Sequence, residues 1–473
     1  MEEVETAQAV AQGFNELVDR VARDSDFLEQ TLGGGVAAMD PFTANILKLY
    51  KQVYVNDGGD ATTKNSPAAL ADRLGVHRSD YMLHSPGEGE PYQLKQVELN
   101  TIAASFAGLS SQIFKLHRYL TTRFARETEP FLEGNRKIVT TSTDTPLGVP
   151  ENPTMERIPH AISVAYHRYV EKFSEKADSS NTVVLFVVQE GETNTVDQRM
   201  LEFRLFEDHN VPVVRMSLTK AFSEITLDQD DGSLRLGDKE IAVIYYRAGY
   251  APTDYPDGDD GIEWKARLKL ESSRAVKCPS LGYHLAGTKK VQQELARPGV
   301  LERFFPGPDE TEKMEAIRSC FAGLYSMGED ATDEDLRAAA EVLDGKHGLY
   351  VLKPQREGGG YNFYGEKLAA KLKENTTKDA NGTLKLGEKL AEYILMQRLF
   401  PPQQKAVLVR AGRVEGTGDT VSELGCYGVL VVDSDGKVVL NEYAGLLLRT
   451  KFSNVDEGGV ASGYATLSSP YLC

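Results

Sequence analysis

The sequence predicts an α/β protein built around a parallel sheet. Residues 183–188 form a continuous apolar run, which is typical of a strand buried on both faces. A helical apolar pattern from Val196 to Phe206 follows, and residues 211–216 and 241–246 are two further apolar strands. Strand, helix and strand in succession favour parallel pairing.

The carboxyl ends of these strands give the expected binding edge. Ligands of open parallel sheets bind in the crevice beyond those ends. Residues 189–198 follow the first strand, and residues 247–250 follow the third. We therefore expect both segments to lie beside a bound ligand.

The part of the chain up to about Arg126 is predicted to be mainly helical. Apolar residues recur at helical spacing within residues 14–27 and again within residues 42–50. Three glycines at positions 33–35 separate the two patterns. Because no strand precedes these glycines, a turn is a better interpretation than a phosphate-binding loop.

The part of the chain from about Lys289 onward is predicted to be rich in antiparallel strands. A strand at residues 349–353 precedes a glycine-rich loop and a helix at residues 366–373. Antiparallel strands that carry such a loop suggest a lid over a nucleotide. The other predicted elements are strands at 393–396, 406–409, 424–432 and 437–440, a hairpin turn at 433–436, and a polar, mobile surface segment at 376–387.

Composition excludes several classes of partner. The chain has 473 residues, of which 41% are hydrophobic and 26% charged, as in a globular protein of about two to four domains. Its net charge is −17. Nucleic acid and anionic membranes both require a basic face, so neither is an expected partner. The same charge repels phosphates, so a nucleotide site must concentrate Lys and Arg locally.

The four cysteines are scattered, with neither a CxxC pair nor a Cys/His cluster. A zinc site or a disulfide framework is therefore not expected, and reduced thiols are the default. The first residues are acidic, which argues against a signal or transit peptide, and the apolar runs are far shorter than the ~20 residues that a membrane span needs. We expect a soluble, cytoplasmic protein.

The glycine-rich segment after the strand at 349–353 is the first candidate site. The sequence has no GxxxxGK[ST] and no convincing GxGxxG after a strand, so neither a P-loop nor a Rossmann site is supported. Three glycines at 358–360 allow backbone N–H groups to surround phosphate oxygens. Lys353 and Arg356 supply positive charge, and Glu357 is a suitable ligand for magnesium. A surface loop of mixed charge is the alternative.

The segment around Glu98 is the second candidate. In a strand, Glu98 and Asn100 face the same side and offer one anionic and one neutral oxygen ligand. The alternative is a pair of polar residues on a solvated edge strand. Lys289 and Lys290 are a weaker signal, because paired lysines usually only solvate the start of a helix.

The third candidate is an apolar strand at residues 446–451. It places Arg449 and Lys451 on one face, ahead of a loop of small residues at 457–463. This arrangement suits an anionic reactant under a closing loop, and a strand with a glycine-rich surface loop is the alternative. A carboxylate activated by ATP needs magnesium, cations and a lid that excludes water. The three candidates together favour an ATP-dependent ligase or kinase, without choosing between them.

Five stretches of the sequence match one known family, in the family's order and across nearly the whole chain. They lie at residues 78–82, 98–106, 285–293, 353–360 and 447–451. These stretches closely resemble eukaryotic glutathione synthetase, which belongs to the ATP-grasp ligases. The resemblance implies an ATP-grasp fold with an inserted parallel-sheet substrate-binding domain and an antiparallel glycine-loop lid. The predicted division is 1–182 and 291–473 for the ATP-grasp body, 183–290 for the inserted domain, and about 345–405 for the lid.

The resemblance also implies the reaction and the partners. The expected activity is an ATP- and magnesium-dependent ligation of γ-glutamylcysteine to glycine through an acyl phosphate. A ligase that uses β-alanine and a non-catalytic ATP-binding relic are the alternatives. A homodimer is implied, although an N-terminal segment of several dozen residues that contributes to the family's dimer has no counterpart here. Two local departures are Glu457, where many members have Asp, and Tyr361, where the family residue is often polar.

The resemblance finally implies roles for individual residues. Magnesium would be held by Glu98, Asn100 and Glu357. Catalytic roles fall to Arg78, Ser105, Lys289, Lys353 and Arg449. The ATP set comprises Glu98, Lys289, Lys353, Gln355, Arg356, Glu357, Gly358, Gly359, Gly360, Asn362, Tyr364, Met396, Gln397, Arg398, Leu399, Glu423, Lys451 and Glu457. The dipeptide and acceptor set comprises Arg78, Ile102, Ala103, Ala104, Ser105, Glu192, Asn194, Gln198, Arg247, Ala248, Gly249, Tyr250, Arg449, Val460 and Ala461.

Overall fold

The computed structural model describes residues 2–55, 66–128, 148–173, 181–354 and 362–472. The helices, in chain order, are α1 (Glu2–Ala22), α2 (Ser25–Leu32), α3 (Gly35–Met39), α4 (Pro41–Tyr54), α5 (Pro67–Leu70), α6 (Ala107–Arg123), α7 (Thr154–Phe173), α8 (Thr195–His209), α9 (Leu218–Glu224), α10 (Ile262–Glu271), α11 (Leu281–Ala286), α12 (Lys289–Leu295), α13 (Leu301–Phe304), α14 (Thr311–Cys320), α15 (Asp333–Glu341) and α16 (Gly365–Glu374). No helix of the described residues combines the length and the apolar content that crossing a bilayer requires.

The strands, in chain order, are β1 (Arg73–His84), β2 (Gln93–Asn100), β3 (Thr182–Val187), β4 (Val213–Met216), β5 (Ile225–Leu227), β6 (Leu234–Leu236), β7 (Lys239–Tyr246), β8 (Val276–Cys278), β9 (Leu324–Ser326), β10 (Tyr350–Pro354), β11 (Phe363–Tyr364), β12 (Thr376–Lys378), β13 (Leu384–Leu386), β14 (Tyr393–Gln397), β15 (Gln404–Arg410), β16 (Arg413–Val432), β17 (Val438–Phe452) and β18 (Thr466–Ser468).

Within the described residues, twelve strands form one large mixed sheet. Its main path runs β18-β17-β16-β1-β8-β7-β3-β4, with β2 paired to β1 and β15 paired to β16. Along this path, the strands β1-β8-β7-β3-β4 pair in parallel, and the strands β18-β17-β16-β1 pair antiparallel. The predicted parallel sheet is therefore confirmed, and β1 joins it to an antiparallel half.

Strand β3 shows why the middle of the chain folds as a covered sheet. All six of its residues are buried. Val184 and Phe186 belong to a core cluster shared with α7 and α8, whereas Val183, Leu185 and Val187 belong to the cluster formed with the N-terminal helices. Because alternate side chains of a strand point to opposite faces, a strand packed on both faces must be apolar throughout.

A second, four-stranded antiparallel sheet has the order β11-β10-β14-β9. Helix α16 packs against it through Leu368 and Leu372. The predicted antiparallel sheet is confirmed, and the glycine-rich loop between β10 and β11 lies outside the described residues. The polar surface segment at 376–387 contains a regular antiparallel hairpin of β12 and β13, in which Thr376 pairs with Leu386 and Lys378 pairs with Leu384. The predicted domain boundaries stay a prediction.

Two further expectations differ from the structure. The helical prediction for the first 126 residues holds for α1 to α4 and for α6, with the glycines at 33–35 at the predicted break, but it passed over β1, a 12-residue strand. Helix α8 exists as predicted, yet Val196, Phe203 and Phe206 are more than half exposed. Its inner face is instead defined by Leu201 and Leu205, which are fully buried.

Candidate active site

A cavity of about 800 Å³ lies between the large sheet and the four-stranded sheet. Strands β1, β2, β16 and β17 form one wall, and β10, β11 and β14 form the opposite wall. Most of the described residues with a predicted role line this one cavity. They are Arg78, Glu98, Asn100, Ile102, Ala103, Ser105, Tyr250, Lys289, Lys353, Asn362, Tyr364, Met396, Gln397, Arg398, Leu399, Glu423, Arg449, Lys451, Glu457, Val460 and Ala461.

Seven predicted substrate residues are not among the residues that line this cavity: Ala104, Glu192, Asn194, Gln198, Arg247, Ala248 and Gly249. The Arg247 guanidinium donates to the backbone carbonyls of Ala103, at 3.3 Å, and Ala104, at 3.1 Å. The Glu192 carboxylate accepts from Gln198 Nε2 at 2.9 Å. Arg247 therefore supports the wall of the cavity at Ala103.

The turn between β2 and α6 is held in an uncommon backbone conformation. Ala103 and Phe106 have φ values of 50° and 73°, in the left-handed region. The fully buried Asp197 carboxylate accepts from the backbone N–H of Phe106 and of Gly108, each at 2.8 Å. Such strain persists where its surroundings enforce it, and here the enforced turn carries predicted substrate residues.

Four cationic side chains surround Glu98. Lys289 Nζ lies 3.5 Å from its carboxylate, and Lys353 Nζ donates to the backbone carbonyl of Val97 at 3.4 Å. Burial raises the pKa of Glu98, but Lys289, Lys353, Arg449 and Arg78 outweigh burial and lower that pKa to about 2. For Lys353, burial is the stronger effect. Burial and the charge of Lys289 lower the pKa of Lys353, although the nearby carboxylates raise it. The cluster provides the local positive charge that a phosphate site requires.

Two arginines of the cavity share one buried acid, Asp80. Arg78 donates to it from Nε at 2.7 Å, and Arg449 donates from a terminal nitrogen at 2.8 Å. Arg449 also donates to Glu423. Burial raises the pKa of Glu423, as do the charges of Asp80 and Glu98, while Arg449 opposes the shift.

The side of the cavity formed by β14 and β11 carries polar groups with fixed partners. Gln397 Oε1 accepts from the backbone N–H of Gly323 at 3.0 Å. Arg398 donates to Asp456 Oδ1 at 2.9 Å, and Lys451 Nζ donates to the backbone carbonyl of the same residue at 2.5 Å. The end of β14 in the four-stranded sheet is thereby tied to the segment that follows β17.

Comparison with known proteins decides the family. A family model described as the ATP-binding domain of eukaryotic glutathione synthase matches residues 1–472. The chain belongs to this family.

Eukaryotic glutathione synthetases from distant organisms are similar to the chain over almost its whole length. The chloroplastic enzyme of Solanum lycopersicum is 41% identical over 470 residues, which cover 98% of this chain and 74% of that protein. The Dictyostelium discoideum and Homo sapiens glutathione synthetases are 38% and 39% identical, each with 87% of its length covered and with 98% and 99% of this chain covered. The resemblance predicted from the sequence motifs is confirmed.

A solved structure also has this fold. It is a glutathione synthetase-like effector from Globodera pallida in the apo form, with a TM-score of 0.66 and 21% identity, covering 100% of this chain and 88% of that one. The predicted ATP-grasp-type fold of mixed helices and strands is confirmed, and the family description confirms ATP as the nucleotide.

Some predicted residues of this glutathione synthase family member lie outside the described part. They are Gln355, Arg356, Glu357, Gly358, Gly359 and Gly360, and their roles stay predictions. Lys289 and Lys290 do not simply solvate the start of a helix, the usual role of paired lysines, because each is only 6% exposed. Lys290 is held inside by Gln293, Ser326 and Asp330, at 2.5–2.8 Å.

The described residues provide two of the three predicted magnesium ligands. Glu98 and Asn100 line the cavity side by side, as expected from their strand spacing. The amide nitrogen of Asn100 donates to Asp80 at 3.0 Å, so its oxygen is the atom left for a metal. One carboxylate and one amide oxygen suit Mg²⁺. No cluster of three His, Cys, Asp or Glu side chains suited to a metal occurs among the described residues, and Glu357 lies outside them.

Sequence reasoning missed Asp80 and Asp456 as parts of the site. Asp80 lies two residues after Arg78, so the strand period places both on one side, but residues 73–84 were not interpreted as a strand. Asp456 precedes Glu457 in a predicted loop and carried no signal of its own. Cys278, Cys320 and Cys426 are free, buried thiols, and none of the three lines the cavity.

Proposed function

We propose that this chain is a glutathione synthetase that joins γ-glutamylcysteine to glycine, with conversion of ATP to ADP and phosphate. The observation that carries the proposal is the convergence of Arg78, Lys289, Lys353 and Arg449 in one cavity of an otherwise acidic protein. Membership in the glutathione synthase family supports the choice of a ligase over a kinase.

The chemistry proceeds in two balanced steps. The cysteinyl carboxylate attacks the γ-phosphorus of ATP, which forms an acyl phosphate and releases ADP. The amine of glycine then attacks the acyl carbon, the bond to phosphate breaks, and the amine loses a proton. Both steps move negative charge, so preorganised cations in a site that excludes water favour them.

The arrangement of the cavity suggests how the work is divided. Lys289 and Lys353, beside Glu98, would contact the phosphates of ATP. Arg78 and Arg449 line the same cavity from β1 and β17, and they would contact the carboxylates of the dipeptide and of glycine. Magnesium would be held by Glu98, Asn100 and Glu357, and it would neutralise phosphate charge when bound.

The loop at residues 457–463 supports glycine as the acceptor. Val460, Ala461 and Ser462 line the cavity with small side chains. One added methylene in the acceptor is worth about 1–3 kcal/mol, or roughly 10–200-fold in selectivity. We therefore expect a preference for glycine with slow use of β-alanine. The measurement is kcat/KM for the two acceptors side by side, and equal values would overturn the glycine assignment alone.

Phosphate release tests the proposal as a whole. The purified chain should release phosphate from ATP when γ-glutamylcysteine and glycine are both present, and the tripeptide should appear in equal amount by mass spectrometry. Either substrate alone should give little release. Tight ATP binding without turnover would identify a non-catalytic relic and would refute the proposal.

The assembly belongs to the same proposal. Family membership supports a homodimer, and light scattering of the purified chain at several concentrations measures it directly. A mass near 52.1 kDa at every concentration would contradict the dimer. The cytoplasmic location expected from the sequence stays a prediction.

A further inference from the structure

Asp80 is a buried carboxylate that the chemistry above does not use. It is 0% exposed and does not line the cavity. Its two oxygens accept a two-pronged contact from Arg78, at 2.7 and 2.9 Å, together with one contact from Arg449 at 2.8 Å. Asn100 donates to the same carboxylate at 3.0 Å. Its three donors all line the cavity, so Asp80 connects strands β1, β2 and β17 from behind the wall.

A glycine in the middle of a long strand makes room for this carboxylate. Gly425 on β16 is paired with Asp80 on β1. A Cβ atom at Gly425 would lie 2.8 Å from Asp80 Oδ1 and 2.9 Å from Arg78 Cδ. Glycine weakens the interior of a strand and marks a close approach by another group. The group that approaches here is the Asp80–Arg78 pair.

We propose that Asp80 and Gly425 are positioning residues: they form a socket that fixes the guanidinium groups of Arg78 and Arg449 before γ-glutamylcysteine binds. The proposal rests on the proposed function. Arginine side chains have many rotamers, and a group held in its bound position avoids the entropy cost of ordering. Arg449 already contacts Glu423 as well. Without the charge of Asp80, Glu423 becomes the stronger partner and draws Arg449 away from Arg78.

Steady-state kinetics of Asp80→Asn test the socket. Hydrogen bonds to charged groups are strong, so kcat/KM for γ-glutamylcysteine should fall roughly 10- to 100-fold. The KM for ATP should stay within about threefold of the wild-type value. The reason is that Asn100, a proposed magnesium ligand, keeps its hydrogen bond to the backbone carbonyl of Arg78 at 3.3 Å. Gly425→Ala keeps every charge, but its methyl group displaces Asp80 and Arg78. It should therefore also lower kcat/KM for γ-glutamylcysteine and leave the KM for ATP nearly unchanged. It also carries the test if Asp80→Asn does not fold.

Two matched controls separate positioning from stability. Asp19→Asn removes a buried carboxylate that Arg73, at the other end of β1, contacts at 2.7 Å. Gly418→Ala places a methyl on β16 at an ordinary 3.5 Å from Phe452. Both controls should leave the KM for γ-glutamylcysteine unchanged. If Asp19→Asn reproduces the kinetic effect of Asp80→Asn, or if folded Asp80→Asn keeps wild-type kinetics, the socket is refuted.

A double mutant tests whether Asp80 acts through Arg449. If Asp80 acts in part through Arg449, then Asp80→Asn should cost less activity in the Arg449→Lys background than in the wild type, because only the route through Arg78 is left. Fully additive losses would refute that route. A wild-type chain without glycine-dependent phosphate release would instead refute the proposed function, which keeps the two failures distinct.

Discussion

The charges of Glu98 and its cationic neighbours depend on one another. Glu98 is ionised because its four cationic neighbours outweigh its burial and hold its pKa at about 2. Lys353 shows the converse, since burial lowers its pKa while the charge of Glu98 raises it. The carboxylate and the lysine therefore stabilise each other's charged forms, and the loss of either group shifts the pKa of the other.

Glu98→Gln is expected to lower turnover by about 100-fold or more, because it removes a proposed magnesium ligand. It should also lower the pKa of Lys353, so the alkaline limb of the residual activity should move to lower pH. The measurement is kcat against pH at several magnesium concentrations. Glu88→Gln, the same change in the exposed loop between β1 and β2, is the control. An unmoved alkaline limb with normal magnesium dependence would contradict this account.

The hairpin of β15 and β16 holds the loop at residues 457–463. Strands β15 and β16 form a hairpin whose outer part carries Arg410. Its guanidinium donates to the backbone carbonyls of Gly463 and Ala465 and pairs with Glu415 at 3.0 Å. The loop at residues 457–463 is therefore fixed at its far end by a side chain distant in sequence.

Arg410→Ala is expected to raise the KM for glycine roughly 3- to 10-fold, because one or two hydrogen bonds that order the loop are lost. The KM for γ-glutamylcysteine should change less. Arg413→Ala, an exposed arginine paired with Arg410 across the hairpin, is the matched control. Initial rates with glycine as the varied substrate give the answer. Equal effects of both variants would show that the contact does not order the loop.

The elements also show what sequence can predict. Strand β3 and helix α16 were predictable because their apolar patterns are local and complete. Strand β1 was not, because the buried polar residues His77, Arg78 and Asp80 interrupt its apolar pattern. The candidate residues were predicted mainly by the motifs of a family. The socket around Asp80 required coordinates, since Arg449 lies far from Asp80 in sequence.

For the whole molecule, two neutral histidines in the core link stability to pH. Burial lowers the pKa of His77 on β1 to about 3, with Asp19 opposing the shift, and burial together with Arg267 lowers the pKa of His284 on α11 to about 3. Neither ring nitrogen of His77 has a hydrogen-bond partner. Both side chains pack on aromatic rings, His77 on Tyr283 and His284 on Phe42.

The sign of the pH dependence follows from these shifts. In the unfolded chain a histidine binds a proton near pH 6.5, whereas in the fold these two bind one only near pH 3. Unfolding therefore takes up protons between the two values, and the stability that the neutral histidines contribute is lost as pH falls below about 6.5. Between pH 7 and pH 5 the loss is about 2 kcal/mol for each histidine.

The urea midpoint should therefore fall steeply between pH 7 and pH 5, without any loss of bound ligand. His77→Phe and His284→Phe should each make that fall shallower, because a residue that cannot bind a proton contributes no proton uptake. His167→Phe, on the exposed face of α7, should leave the wild-type pH dependence unchanged. If the two core variants kept the full wild-type pH dependence, the acid sensitivity would arise elsewhere, and the neutral buried state of these histidines would be wrong.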